Sequence, residues 1–256
     1  MRHVRFRDPG GNVRRGQWEG TEGAEIRAHP DHGSRISLDD EEYAADEVDV
    51  LPPCEPSKVV CVGLNYPEHA AESGEEIPDR PLLFLKPPNT LAAHGERVTL
   101  LGGKERIDHE AELGVVISDR CRHVSADSAE DVVAGFTCVN DLSNRDDQAI
   151  ETNWVRGKAF DDSCPIGPVI ATPEEVPRDA AIRCRVDGEV RQDASRADLV
   201  FPVRDLIAEI TAYMTLEPGD VIATGTPAGV GPLADGDVVE VEIEGIGTLR
   251  NEVRIP

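Results

Sequence analysis

The chain has 256 residues and 39% hydrophobic content, with 26 Lys or Arg against 50 Asp or Glu and a formal net charge of −24. That is ample for one large core, and recurrent apolar stretches such as Leu82–Leu85 and Leu113–Ile117 exclude a disordered chain. The charge excludes nucleic acid and anionic membrane surfaces as partners, and no apolar run approaches the roughly 20 residues of a membrane helix. In chain order, Arg2–Arg7 alternates, with Val4 and Phe6 on one side, before the turn Asp8-Pro9-Gly10-Gly11. Short extended pieces are expected at Gln17–Glu19 and Glu25–His29. The acidic stretch Asp39–Asp49 and Pro52-Pro53 read as a linker. They divide a small N-terminal β module, residues 1–52, from a larger unit, residues 57–254. Val59–Val62, Leu82–Leu85, Ala111–Ser118 and Val221–Thr224 read as strands. Val239, Val241 and Ile243 alternate with Glu240, Glu242 and Glu244, predicting a half-buried strand with one charged face, then a Gly turn and a return strand. Helices are few. One is expected from Ala126 to Ala134, capped by Ser125 or Asp127 and stopped by Gly135. Another spans Val203 to Met214, with Leu206, Ile207 and Ile210 at helical spacing. The fold class is predominantly β with a few helices, and no βαβ alternation supports a Rossmann sheet.

Four segments carry residues suited to chemistry. On a strand, Glu110 and Glu112 project from the same face. Two carboxylates ~4 Å apart repel by about 4 kcal/mol at an effective dielectric near 20, a cost that a bound cation converts into affinity. All-oxygen ligands suit Mg²⁺, Mn²⁺ or Ca²⁺. From the spacing alone a solvated edge strand is the simpler explanation. Asp141 follows the apolar stretch Gly135–Val139, where a strand end can open a site, although Asx-rich turns are common. His69 and Glu72 stand at i, i+3, so one helical turn lets the carboxylate orient the imidazole as a base. A surface His beside an acid is the alternative. Gly74 and the charged run after it suggest a mobile segment rather than a packed helix. The run Gly225-Thr226-Pro227-Ala228-Gly229-Val230-Gly231 is neither a Walker loop nor G-x-G-x-x-G. Its backbone could approach a substrate carboxylate, or form a plain hairpin turn.

Together these segments resemble one family. N-Y-x-x-H-x-x-E, F-L-K-P-P, D-x-E-x-E-L-x-V-V, N-D-x-S-x-R-D-x-Q, G-K-x-F-D-x-x-C-P-I-G-P, R-Q-D-A and T-G-T-P-x-G-V-G occur in a single order. They resemble the fumarylacetoacetate hydrolase family, shorter-chain branch, over residues 57–254, and residues 1–52 resemble the N-terminal module that many relatives carry. The resemblance implies a mixed β-roll catalytic domain. By position, it implies a divalent metal on Glu110, Glu112 and Asp141, and His69 with Glu72 as the pair that activates water or moves a proton. Arg145, Gln148 and Lys158 match substrate-contacting positions, with Lys158 counted among the catalytic residues. Gly225 and Thr226 match the carboxylate-binding loop. Lys158 has separate weight, being one of only four lysines; a salt bridge to a nearby carboxylate is its plainer explanation.

The implied substrate is a small 2-oxo acid whose carboxylate and 2-oxo oxygen meet a Lewis acid as a bond at C3 breaks. C–C hydrolysis of an acylpyruvate-like 2,4-dioxo acid is the expected reaction. The alternatives are isomerisation of 2-hydroxyhepta-2,4-diene-1,7-dioate, dehydration of a 2-keto-3-deoxy sugar acid, and decarboxylation of oxaloacetate. The longer animal branch has an extra Asp before the His. Here the region reads Gly63-Leu64-Asn65-Tyr66, so fumarylacetoacetate itself is not the expected substrate. A metal-stabilised scaffold without catalysis would need neither the His69–Glu72 pair nor Lys158. A homodimer is also implied.

The basic side comprises 22 Arg and 4 Lys. Acid-rich, Lys-poor surfaces are what halophilic cytoplasm selects, because molar salt screens the self-repulsion. An ordinary acidic protein from a GC-rich genome is the alternative. The N-terminal MRHVRFRDPGG shows no apolar signal core, so a soluble cytoplasmic protein is expected. Six cysteines form no C-x-x-C pair, which favours reduced thiols.

Overall fold

The computed structural model describes residues 1–19, 35–38 and 41–256; the strand expected at Glu25–His29 lies outside them. Strands predominate. The largest sheet has twelve strands, and its central run is Arg2–Arg7, Cys164–Ala171, Val133–Asn140, Ala111–Ile117, Val221–Ala223, Val59–Gly63 and Leu82–Lys86. Val13–Glu19, Arg35–Leu38 and Glu41–Ala44 extend it on the N-terminal side. The described strands of the N-terminal part thus join this sheet through Arg2–Arg7, which pairs with Cys164–Ala171.

Ala111–Ile117 is buried at every position, as expected of a strand covered on both faces. It runs antiparallel to Val133–Asn140 with Leu113 opposite Cys138 and Ala111 opposite Asn140. That register brings Glu110 beside Asp141: the Asp141 N–H donates to the Glu110 carbonyl at 2.9 Å. The Glu110 N–H donates to Asn140 Oδ1 at 3.0 Å. A one-residue slip would turn every side chain to the other face and dismantle the pair. Val221–Ala223 lies parallel to Val59–Gly63 and carries the chain to Gly225 at the same end.

A five-stranded sheet packs against this layer in the order Glu189–Ser195, Ala181–Val186, Val238–Ile243, Gly247–Arg254, Arg97–Thr99. Ile182, Cys184 and Val186 alternate inward with Val239, Val241 and Ile243. The charged face expected on Val238–Ile243 is only partly wet: Glu240 is 6% exposed, with Arg250 3.9 Å away. Side chains of adjacent strands cover it, which alternation along a single strand does not reveal. Three short strands, Ile107–His109, Ser143–Asn144 and Gly231–Pro232, close one end of the molecule.

The helix Val203–Tyr213 buries Leu206, Ile207 and Ile210. The other expected helix is a 3-10 helix, Ala126–Val132, preceded by Ser125, which makes no side-chain cap. Gly135 does not stop it but lies within the strand Val133–Asn140. A Cβ there would stand 2.2 Å from the Ala171 carbonyl oxygen, so the glycine serves a close strand approach. Nor is the segment after Tyr66 loose. Pro67–Ser73 is a helix that buries His69 and Ala70, and Gly74, at φ +70, ends it by donating to the Ala70 and Ala71 carbonyls. All six cysteines are free and buried. Among the described residues, no helix is long and apolar enough to cross a membrane.

Candidate active site

Glu110, Glu112 and Asp141 each direct one carboxylate oxygen to a common point, the three oxygens lying within 4.8 Å of one another. All three residues are buried, so the solvated edge strand is overturned: Glu112 lies on the central, covered strand Ala111–Ile117, Glu110 directly precedes it and Asp141 directly follows Val133–Asn140. Such a cluster is tolerable only with cations. Lys158 Nζ donates to Glu110 Oε2 at 2.8 Å and to Asp141 Oδ2 at 2.7 Å. Arg145 donates to Asp108 Oδ2 at 2.8 Å and to Glu110 Oε1 at 2.5 Å. Gln148 Oε1 accepts from Arg145 at 2.7 Å. The two short helices Arg145–Gln148 and Val155–Lys158, absent from the expectations, deliver these groups.

The charges are unevenly compensated. Burial would raise the Glu110 carboxyl, but Lys158 and Arg145 outweigh it and hold the group far below the usual carboxylate range. Glu112 has no such partner. Burial, then the charges of Asp141 and Glu110, push its carboxyl well above that range. Burial opposes the Lys158 charge, yet Asp141 and Glu110 hold its ammonium above its ordinary value. Three converging oxygens, one of them on a carboxyl pushed toward protonation for want of a cation, fit a hard divalent ion.

Two residues that sequence reasoning passed over support this group. Lys86 is wholly buried, with Nζ 2.8 Å from Asp141 Oδ1. It also donates to the carbonyls of Lys158 at 2.5 Å and Ser163 at 2.8 Å. Its place in F-L-K-P-P, as one of four lysines, was the available signal. Gln192, in R-Q-D-A, accepts from the Ala111 N–H at 3.0 Å and donates to Thr226 Oγ1 at 2.8 Å. That motif was the available signal, but it does not reveal the role, because the partners of Gln192 lie on other elements.

His69 and Glu72 come together less closely than the i, i+3 spacing suggests. His69 Nδ1 makes no hydrogen bond, and Glu72 Oε2 stands 3.7 Å away. Glu72 instead accepts from the Gly229 N–H at 3.0 Å. Thr226 faces the cleft and donates to the Ala111 carbonyl at 3.0 Å. Gly225 stands behind the cleft wall with its N–H given to Glu112 Oε2 at 2.9 Å. At φ +99 it leaves no room for a side chain, since a Cβ would come within 2.7 Å of the Asn65 Cβ.

His69, Glu72, Glu110, Glu112, Asp141, Arg145, Gln148, Lys158 and Thr226 line one cleft of about 850 Å³, with Lys86 and Gln192 behind its wall. Its remaining wall includes Leu82, Phe84, Ile150 and Trp154. Phe84 and Trp154 meet edge to face with ring centroids 5.4 Å apart, and Lys158 Nζ lies 4.9 Å from the Phe84 ring.

With this geometry in hand, comparison with known proteins is specific. The family profile described as fumarylacetoacetate (FAA) hydrolase C-terminal matches residues 58–254. The profile described as Rv2993c-like, N-terminal, matches residues 1–53. The chain is 42% identical over 207 residues to 2,4-didehydro-3-deoxy-L-rhamnonate hydrolase of Sphingomonas sp., covering 77% of this chain and 73% of that protein. The solved structure of 5-carboxymethyl-2-hydroxymuconate delta-isomerase from Mycobacterium smegmatis superposes with a TM-score of 0.88 at 38% identity, covering 100% of this chain and 99% of that one. Fumarylpyruvate hydrolase from Pseudomonas aeruginosa, solved with Mn²⁺ and pyruvate, gives a TM-score of 0.73 at 32% identity over 78% of this chain and 90% of its own.

Proposed function

Since the chain belongs to the fumarylacetoacetate hydrolase family, we propose that it is a divalent-metal-dependent enzyme cleaving a C–C bond in an acylpyruvate-like 2,4-dioxo acid. The observation that carries this reading is the convergence of Glu110, Glu112 and Asp141 beside Lys158 and Arg145 in one cleft. Six carboxylates and three Lys or Arg side chains line that cleft. Left alone, this excess would repel an anionic 2-oxo acid. Mg²⁺ or Mn²⁺ held by the three carboxylates would offset most of this excess and supply Lewis-acid stabilisation of negative charge on the substrate oxygens.

The protein's own groups do the rest. Lys158 and Arg145 offset the remaining negative charge of a dianionic substrate and orient it. Thr226, held by Gln192 donating to its oxygen, turns its hydroxyl from the Ala111 carbonyl to donate to the substrate carboxylate at the cleft wall, while Gly225 serves the loop by holding Glu112. His69, whose Nδ1 is free of hydrogen bonds, takes the proton of a water or moves one at C3. Glu72 sets the approach of the Gly229 loop over His69 and stabilises the imidazolium through space. The apolar wall of Leu82, Phe84 and Trp154 receives the acyl portion.

The similarity to the delta-isomerase, which extends over the whole chain, favours a second reading: isomerisation of a 2-hydroxy-dienedioate through the same proton chemistry. A panel assay of the purified protein with Mg²⁺ or Mn²⁺ in high salt separates the two. Acetylpyruvate, 2-hydroxyhepta-2,4-diene-1,7-dioate, a 2-keto-3-deoxy sugar acid and oxaloacetate are offered in turn. Hydrolysis of acetylpyruvate as the fastest reaction is expected. Fastest turnover of the dienedioate would replace hydrolysis by isomerisation, and turnover of none would favour a metal-stabilised scaffold.

We further take the active form to be a homodimer. Leu82–Lys86 ends the described sheet, with Leu82 36% and Leu85 50% exposed, and burying such an edge against a second copy protects it.

A further inference from the structure

A second cavity, of about 300 Å³, lies between the helix Val203–Tyr213, the 3-10 helix Ala126–Val132 and the strand Val133–Asn140, and shares no residue with the catalytic cleft. We propose that it binds a small monoanion with an apolar body, such as a short aliphatic or aromatic carboxylate. Its inner wall is apolar, formed by buried Phe136, Val176, Leu199 and Ile207. Into this wall is set Arg196, whose guanidinium carbon lies 4.3 Å from the centroid of the Phe136 ring.

Three features make this arginine a ligand group rather than a structural ion. First, among the described residues no carboxylate comes within ion-pair distance of it, and the guanidinium's one hydrogen bond there is a long 3.5 Å contact to the Pro177 carbonyl. Arg196 is half-buried, and arginines drawn that far from water are ordinarily paired. Second, burial and the neighbouring Arg178 hold its pKa below the ordinary value, so an anion that reached it would relieve an unfavourable charge. Third, the local sign of charge opposes that of the molecule. The chain carries −24, yet the cavity is lined by Arg178, Arg196 and Arg204 against the single acid Glu130, which Arg178 already engages at 3.0 Å.

The shape narrows the ligand further. An apolar pocket with one inner guanidinium admits one carboxylate and a body of about six carbons, near the lower limit of small-molecule sites. A polyanion would leave its extra charges against apolar walls, and a cation would meet Arg196.

Calorimetric titration of the full chain with hexanoate, 1-hexanol and hexylamine tests this. Mn²⁺ and pyruvate are present to fill the cleft around Glu110, and a repeat with EDTA in their place frees the result from the metal reading. Hexanoate should bind saturably, one per chain, with hexanol at least about tenfold weaker and hexylamine not binding. Arg196→Met should weaken hexanoate about 10- to 100-fold, whereas Arg196→Lys retains part of the affinity. Equal binding of hexanol and hexanoate, hexanoate binding unchanged by Arg196→Met, or no saturable binding would each overturn the proposal. The ligand series on the unaltered protein decides the matter if the methionine variant does not fold.

Discussion

Lys86 and Asp141 form an ion pair with no solvent exposure on either side, Nζ to Oδ1 at 2.8 Å. The same ammonium binds the carbonyls of Lys158 and Ser163. One side chain thus fixes a metal-site carboxylate and the backbone of the lysine that opposes it. Lys86→Met keeps the volume and deletes the charge, leaving Asp141 with one cation fewer. Removal of one partner of a buried pair costs about 3–5 kcal/mol. Urea unfolding should show a loss of that order, and a loss below about 1 kcal/mol would mean that Asp141 does not depend on Lys86.

Glu110→Gln should remove the divalent ion and activity while leaving the fold in salt largely intact, because Gln keeps the size and loses the ligand charge. Elemental analysis of the purified variant reads the outcome. Unchanged metal stoichiometry would place the ion elsewhere.

The raised Glu112 carboxyl predicts a pH dependence with a definite sign. In the metal-free folded state it keeps a proton over a range where the unfolded chain has lost its own. The stability this contributes is complete below the ordinary carboxylate range and lost as pH rises through the raised folded value. In EDTA, the stability of the wild type relative to Glu112→Gln should therefore fall as pH rises above the ordinary carboxylate range. Mg²⁺ should restore it, since the cation takes the proton's place. Parallel pH profiles of the two proteins in EDTA would contradict the assignment.

His69→Ala should lower kcat by ~10²–10⁴, the range for a positioned acid or base, with metal content unchanged. Single-turnover rates on the preferred substrate of the panel measure it. A loss of less than about threefold would show that another group handles the proton.

Salt should govern both stability and assembly. The Debye length shortens to ~3 Å at 1 M, so the thermal midpoint should rise from low to molar KCl. The homodimer should dissociate first as salt is removed, because association works against −24 per chain. Scanning calorimetry and sedimentation across a KCl series test the two together. A flat or falling midpoint would contradict the halophile reading, and a monomer at micromolar concentration in molar salt would refute the dimer.

The sequence by itself determined the strand-rich class, because alternation and short apolar runs are local signals that each strand carries alone. It also named Glu110, Glu112, Asp141, Glu72, Arg145 and Lys158, which the structure brings to the cleft, but not Glu75, Arg106 or Glu151 in the same lining, since ordered motifs record side-chain type at fixed spacing. The tertiary structure decided who partners whom. Glu110 and Glu112 read more simply as a wet edge until the antiparallel register with Val133–Asn140 placed them at the centre of a covered sheet. Gly135 read as a helix stop until a neighbouring strand came within van der Waals reach of it. Glu72 sat at the right spacing for His69, yet the Gly229 N–H, 157 residues away in the chain, holds its carboxylate. Lys86, Gln192 and Arg196 show the same limit. The importance of Lys86 and Gln192 lies in burial and in contacts across more than fifty residues, and that of Arg196 in the lack of a counter-charge among the described residues. Those properties arise when the sheets pack, and no window along the chain contains them.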